Sequence, residues 1–162
     1  MRTTDTHVFF WGGEFSNWFT CYFEYQDHEF FNSEQAFMWE KARFFRDEEM
    51  AELILHTQNP KDAKALGRKV RGFDTERWMV GSYAYMVAVN YAKYSQNPRL
   101  RDKLLATGDK TLVEASPHDK IWGIGMSENN PNCLDETKWQ GMNLLGKALM
   151  QVRKQIKQED NG

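Results

Sequence analysis

The sequence holds only two cysteines, Cys21 and Cys133, in 162 residues. Two are too few for a disulfide framework, and neither has a histidine or second cysteine at metal-ligand spacing. Both are expected as free thiols in a reducing compartment. A long apolar run is also missing. The most apolar stretch, WMVGSYAYMVAVNYA from Trp78 to Ala92, falls short of the roughly 20 residues that span a bilayer, and it contains Ser82, Asn90 and three tyrosines. At the start, MRTTDTHVFFWGG offers no hydrophobic segment long enough for a signal peptide. Neither sign of charge dominates: 21 Lys and Arg face 23 Asp and Glu, a formal net of -2. That excludes a global basic field for wrapping nucleic acid and leaves only local patches. A Walker A loop, a G-x-S-x-G elbow and a metal-ligand cluster are absent as well, so neither a cofactor nor a metal is expected. Together these absences point to a soluble, cytoplasmic protein with no membrane partner. They carry no reading of oligomeric state.

Aromatic residues are abundant, at 14% with six tryptophans. Most of these rings are expected in the core, and some to stack on a planar ligand. No repeat or low-complexity linker divides the chain, so residues 1–155 are expected as one domain and 156–162 as a polar tail. HVFFW (7–11), CYFEY (21–25) and HEFF (28–31) read as short strands around the turn-prone GGEFSNW, and TLVEAS (111–116) as extended. Helix starts are marked by Asn32 with Gln35 in a capping-box spacing, by Asp47 and Asp74, and by Asn59-Pro60 and Asn97-Pro98. The last helix, 142–157, places Met142, Leu145, Leu149, Val152 and Ile156 on one stripe, and 117–141 reads as an irregular loop. The expected class is α+β, predominantly helical, with a small antiparallel sheet from the N-terminal segments.

One helix carries charges where they are costly. In NSEQAFMWEKARFF (32–45), Glu34, Phe37, Lys41 and Phe44 fall on one stripe, while Glu40, Arg43 and Asp47 supply a polar side. Glu34 and Lys41 lie about 10 Å apart along the axis. Burying either charge demands a partner, water or a ligand. A structural ion pair, or a snorkelling lysine with its amine in water, fits the pattern equally.

Three further stretches carry candidates. EASPHDKIWGIG (114–125) sets Glu114 and Asp119 around a Ser-Pro turn, followed by Trp122, Gly123 and Gly125. The glycines would let a backbone approach a ligand, and an acidic turn beside a buried tryptophan explains the same pattern. KDAKALGRKVRGF (61–73) presents Lys61, Lys64, Arg68, Lys69 and Arg71, either a solvated face or a phosphate grip. GMNLLGKALM (141–150) opens a helix whose N–H groups are candidates for an anion, and its Gly146 is costly unless a backbone or ligand needs the room.

Taken in order, FSNWF, NSEQAFMWEKA, KDAKALGRKVRGF, ERWMV, LLATGDKTLVEASPHDKIWGIG and WQGMNLLGKALMQVR resemble the NADAR (NAD- and ADP-ribose-associated) family, which includes the bacterial riboflavin-intermediate N-glycosidase. The resemblance covers about residues 7–155. It implies an N-glycosidase that cleaves ribose C1 from an exocyclic amine of a heteroaromatic ring. The partner would be a small phosphorylated ribosylamino-pyrimidine of riboflavin biosynthesis, or ADP-ribosylated guanine in nucleic acid. A non-catalytic module binding ADP-ribose would keep the binding contacts without needing Lys41. In the catalytic reading Lys41 matches the family's lysine and would form a Schiff base, with Glu34, Glu114 and Asp119 as the acidic groups. A glycosidase mechanism through an oxocarbenium-like state competes with it. Trp78 and Trp122 would stack on the base, Lys64 and Arg68 take phosphate, Asn17 and Asn143 ribose hydroxyls, and Gly123 and Gly125 a backbone contact. Trp78 as pure core and Asn143 as a helix cap are the structural alternatives.

Overall fold

The computed structural model describes residues 1–162 and shows an α+β chain dominated by helices. In chain order the elements are β1 (Arg2–Thr3), β2 (His7–Phe10), β3 (Phe23–Tyr25), β4 (His28–Phe30), α1 (Ser33–Phe44), α2 (Glu48–Leu55) and α3 (Pro60–Gly67). They continue with α4 (Thr75–Gln96), α5 (Pro98–Leu105), β5 (Thr111–Glu114) and α6 (Leu144–Asn161). The expected loop at 117–141 is irregular apart from two 3-10 turns, Pro131–Leu134 and Glu136–Lys138. No helix is long and apolar enough to cross a membrane. Two compact units form, one of Met1–Ser16 with Arg101–Gly162 and the other of Asn17–Leu100.

In the first unit, β2 pairs antiparallel with β1 and parallel with β5, in the register Phe9↔Val113. The antiparallel pairings expected near the N-terminus therefore form, and the sheet gains a parallel edge from the TLVEAS segment. Parallel neighbours need a long crossover, which the intervening chain supplies. Phe9, Val113, Ala115, Ile124, Met126 and Cys133 make a fully packed cluster, with Trp139 against it and its indole N–H donating to the Cys133 carbonyl at 2.8 Å.

Helix α6 packs on β5, and its Leu145, Leu149, Val152 and Ile156 are all buried. Met142, expected on that stripe, precedes the first turn and stays exposed. The stretch expected as a polar tail continues the helix to Asn161, where Asp160 pairs with Arg101. Gly146 has a reason: an added Cβ would sit 2.1 Å from the Leu112 carbonyl, so the strand's backbone takes the room. Asn143, left-handed at φ 52, spends its amide on the same strand. Its Oδ1 accepts from the Glu114 N–H at 3.0 Å and its Nδ2 donates to the Leu112 carbonyl at 2.9 Å. It is no side-chain cap for α6.

In the second unit, β3 and β4 form a hairpin whose turn residues, Gln26 and Asp27, both have positive φ, as a tight primed turn requires. Helix α1 packs against α2, α3 and α4. Every residue from Ser33 to Glu40 is buried. The stripe drawn from the sequence is thus only part of an enclosed helix, and two side chains assigned to its polar side are buried with partners. Glu40, 5% exposed, accepts the Tyr25 hydroxyl at 2.5 Å. Asp47, 2% exposed, caps α2 at the Met50 N–H and binds the Arg71 guanidinium at 2.8 Å, which holds its carboxyl well below the usual range. Hydrogen bonding makes these burials affordable where sequence periodicity alone reads them as exposed. Asn32 caps α1 as expected through the Gln35 N–H, but the Gln35 amide turns outward, to the Phe31 N–H and the Ile54 and Leu55 carbonyls.

Gly146→Ala separates two effects of opposite sign. Helix propensity alone favours alanine by about 1 kcal/mol, whereas forcing a methyl into a packed contact costs about 1–3 kcal/mol. Urea denaturation is expected to show net destabilisation, and a gain in stability would contradict the close α6–β5 contact.

Candidate functional site

Helix α1 carries Lys41 two turns beyond Glu34. The Lys41 side chain is half-buried, its Nζ 4.5 Å from the centroid of the Phe73 ring. Burial pushes the amine below its ordinary pKa; the Glu34 carboxylate opposes that and the Arg68 guanidinium adds to it. The balance matters because an ordinary lysine is neutral to only about one part in 2,500 at pH 7. A desolvated amine beside a second cation is the environment that makes lysine nucleophilic near neutrality.

Glu34 is 9% exposed, and its N–H donates to the Asn17 carbonyl at 3.0 Å. Asn17 is itself buried. Its Nδ2 donates to Met86 Sδ at 3.3 Å and its Oδ1 accepts from Asn90 Nδ2 at 3.4 Å, while Ser33 Oγ donates to Asn90 Oδ1 at 3.3 Å. Asn17 therefore anchors the first turn of α1, and through it Glu34.

The exposed basic groups Lys61, Lys64, Arg68 and Lys69 line α3 and the residues just after it. Arg71 is committed to Asp47 and Glu49. Trp78, 8% exposed, sits among Phe37, Phe44, Phe45 and Tyr85 with centroid separations of 5.3, 5.4, 6.1 and 6.0 Å. Its surroundings are those of a core residue.

The first unit gathers the remaining candidates around β5, the loop after it and the start of α6. Glu114 ends β5, with its Oε2 shielded from solvent. Asp119 Oδ1 accepts from the Ile121 and Trp122 N–H groups at 2.9 and 2.8 Å, a turn that fixes the half-buried Trp122. A Cβ on Gly123 would lie 2.9 Å from the Glu114 carbonyl, and Gly125 is left-handed at φ +72, so close packing gives the first glycine a reason and backbone conformation the second. The chain's own carbonyls occupy much of the α6 N-terminus. Met142, Asn143, Leu144 and Leu145 donate their N–H groups to the carbonyls of Lys120, Gly123, Ile121 and Trp122 at 2.9–3.1 Å. The structure thus brings together Lys41, Glu34 and Arg68 in one unit, and Glu114, Asp119, Trp122, Gly123, Gly125 and Asn143 in the other.

Two residues escaped the sequence reading. Phe73 follows left-handed Gly72 and precedes Asp74, the N-cap of α4, and nothing in RGFD marks a ring over an amine. Lys93 is fully buried, with Nζ 4.9 Å from the Tyr94 ring centroid and 5.8 Å from that of Phe19. Its position three after buried Asn90 and seven after buried Met86 was a readable signal, of the same kind as Lys41 on α1.

A family model for the NADAR domain matches residues 9–157. The N-glycosidase R617 of Acanthamoeba polyphaga mimivirus is 41% identical, over 96% of this chain and 99% of that protein. The NMR structure of the Escherichia coli protein YbiA superposes with a TM-score of 0.79 at 29% identity, covering 98% of this chain and 89% of that one. The chloroplastic riboflavin biosynthesis protein PYRR of Zea mays is 30% identical over 89% of this chain, which spans 20% of that longer protein. The chain is an enzyme of the N-glycosyl hydrolase class. It belongs to the NADAR family.

The electrostatics of Lys41 can be read directly by NMR titration of ¹³C-methylated lysines, which keep their charge. Lys41 is expected to titrate below the exposed lysines. Arg68→Gln is expected to raise its midpoint and Glu34→Gln to lower it. Titration of Lys41 together with the exposed lysines would contradict the site.

Proposed function

We propose that the enzyme hydrolyses the bond between ribose C1 and an exocyclic amine of a phosphorylated ribosylamino-pyrimidine, with Lys41 as the nucleophile. The observation that carries this reading is the half-buried Lys41 amine, flanked by Glu34 and Arg68, in a family of N-glycosidases. The substrate class draws support from a relative named for riboflavin biosynthesis.

The glycosylamine opens to an aryl imine at C1. Neutral Lys41 Nζ adds to C1, forming the Nζ–C1 bond while the imine π pair moves to the aryl nitrogen. Glu34 takes the proton that Nζ releases and returns it to that nitrogen. A second proton, from solvent, reaches the aryl nitrogen as the C1–N pair leaves with it as the neutral aryl amine, and the Nζ lone pair closes on C1 to give a protonated iminium. Water adds at C1, its surplus proton returns to solvent, Nζ departs as the free amine, and the sugar leaves as its aldehyde. Arg68 and Lys64, both exposed, bind the phosphate, Arg68 in a bidentate manner and Lys64 as a point charge.

The exposed basic run around Arg68 also favours a second reading, in which ADP-ribose is removed from guanine in nucleic acid. Purified enzyme offered both substrates separates the two. Ribose phosphate release from the pyrimidine is expected to be the faster reaction, and Lys41→Ala to reduce it by about a thousandfold or more. Faster release of ADP-ribose from a modified oligonucleotide would transfer the assignment to nucleic acid. Binding without turnover of either substrate would contradict the catalytic role of Lys41.

A further inference from the structure

We infer that Phe73 is a positioning residue for Lys41: its ring face fixes the direction of the amine and holds positive charge there as ammonium gives way to iminium. This rests on the proposed Lys41 chemistry. The geometry is specific. Lys41 Nζ stands 4.5 Å from the ring centroid, within cation–π range. Phe45 meets the same ring in a T-shaped contact at 5.4 Å, which steadies it from a second direction. The backbone constrains it too. Gly72 before it has φ +75, and Asp74 after it caps α4 by accepting the Arg77 N–H at 3.2 Å. Phe73 keeps 45% of its surface exposed.

The charged groups facing Lys41 are few. Glu34 comes from α1 itself and Arg68 from the C-terminal end of α3. On α4, Arg77 lies over Phe44 and Phe45 at 5.4 and 5.6 Å. Phe73 thus gives Lys41 a neutral, apolar neighbour with two opposed influences. Its bulk excludes water and favours the neutral amine, while the negative face of its ring favours a cation. Both forms are needed in turn, the neutral amine to attack and the cationic iminium to persist until water adds.

Substitutions split these influences. Phe73→Leu keeps the bulk and loses the ring. The plateau value of kcat is expected to fall about three- to thirtyfold, KM to change less, and the acid limb of the pH–rate profile to move to lower pH. Phe73→Ala admits water and moves that limb upward. Phe73→Tyr keeps the ring and is expected to restore kcat to within about twofold of the wild-type enzyme. The inference is overturned if Phe73→Leu matches wild type in kcat and in the Lys41 NMR titration, or if Phe73→Tyr is as impaired as Phe73→Leu. The titration needs no turnover. An inactive wild-type enzyme would therefore sink the proposed reaction, while the Lys41 midpoints would still report on the ring.

Discussion

Partial removal of one lysine amine from water is the constraint on which the proposed site depends. It follows from the enclosure of α1. A helix buried from Ser33 to Glu40 gives its side chains few routes to solvent, so each polar group on it must find a partner in the protein. Glu40 finds Tyr25, Gln35 spans three backbone groups, and Asn32 caps the first turn and donates to the Gln58 carbonyl. Lys41 differs. Its neighbours are an aromatic ring, a carboxylate on its own helix and a competing guanidinium, and the sum lowers its affinity for a proton. The other buried charges make structure; this one carries the proposed chemistry.

The buried network of Asn17, Ser33, Met86 and Asn90 extends that logic by one shell. It ties the start of α1 to α4 and so sets the direction of Glu34. In the other unit, comparable precision serves the backbone. The loop after β5 delivers four carbonyls, two to the Met142 and Asn143 N–H groups and two to the first two N–H groups of α6, and Asn143 completes the join to β5. An anion at that terminus would compete with hydrogen bonds the chain already makes.

The fold class, most helix starts and the placement of Glu34 and Lys41 on one helix were legible in the sequence because they rest on local signals: capping residues, proline at the first helical position and periodicity. What stayed hidden depends on contacts between distant segments. The parallel pairing of β2 with β5 joins segments separated by most of the chain. Glu40 and Asp47 read as solvent-facing because their partners, Tyr25 and Arg71, lie 15 and 24 positions away. Gly123 and Gly146 read equally well as ligand contacts or packing glycines, and only the fold shows the opposing backbone that each one meets. Phe73 was invisible for the same reason: a ring becomes informative only once an amine is found above it.

A covalent route through Lys41 and a route through an oxocarbenium-like state make different demands on one atom. Only the first joins Lys41 Nζ to the sugar carbon. Borohydride reduction during turnover, followed by intact mass and peptide mapping, reads that bond directly. The account predicts a wild-type adduct with the mass of the reduced sugar phosphate, located at Lys41. An unmodified Lys41 in an enzyme that is turning over, under conditions that trap a known lysine imine, would contradict it.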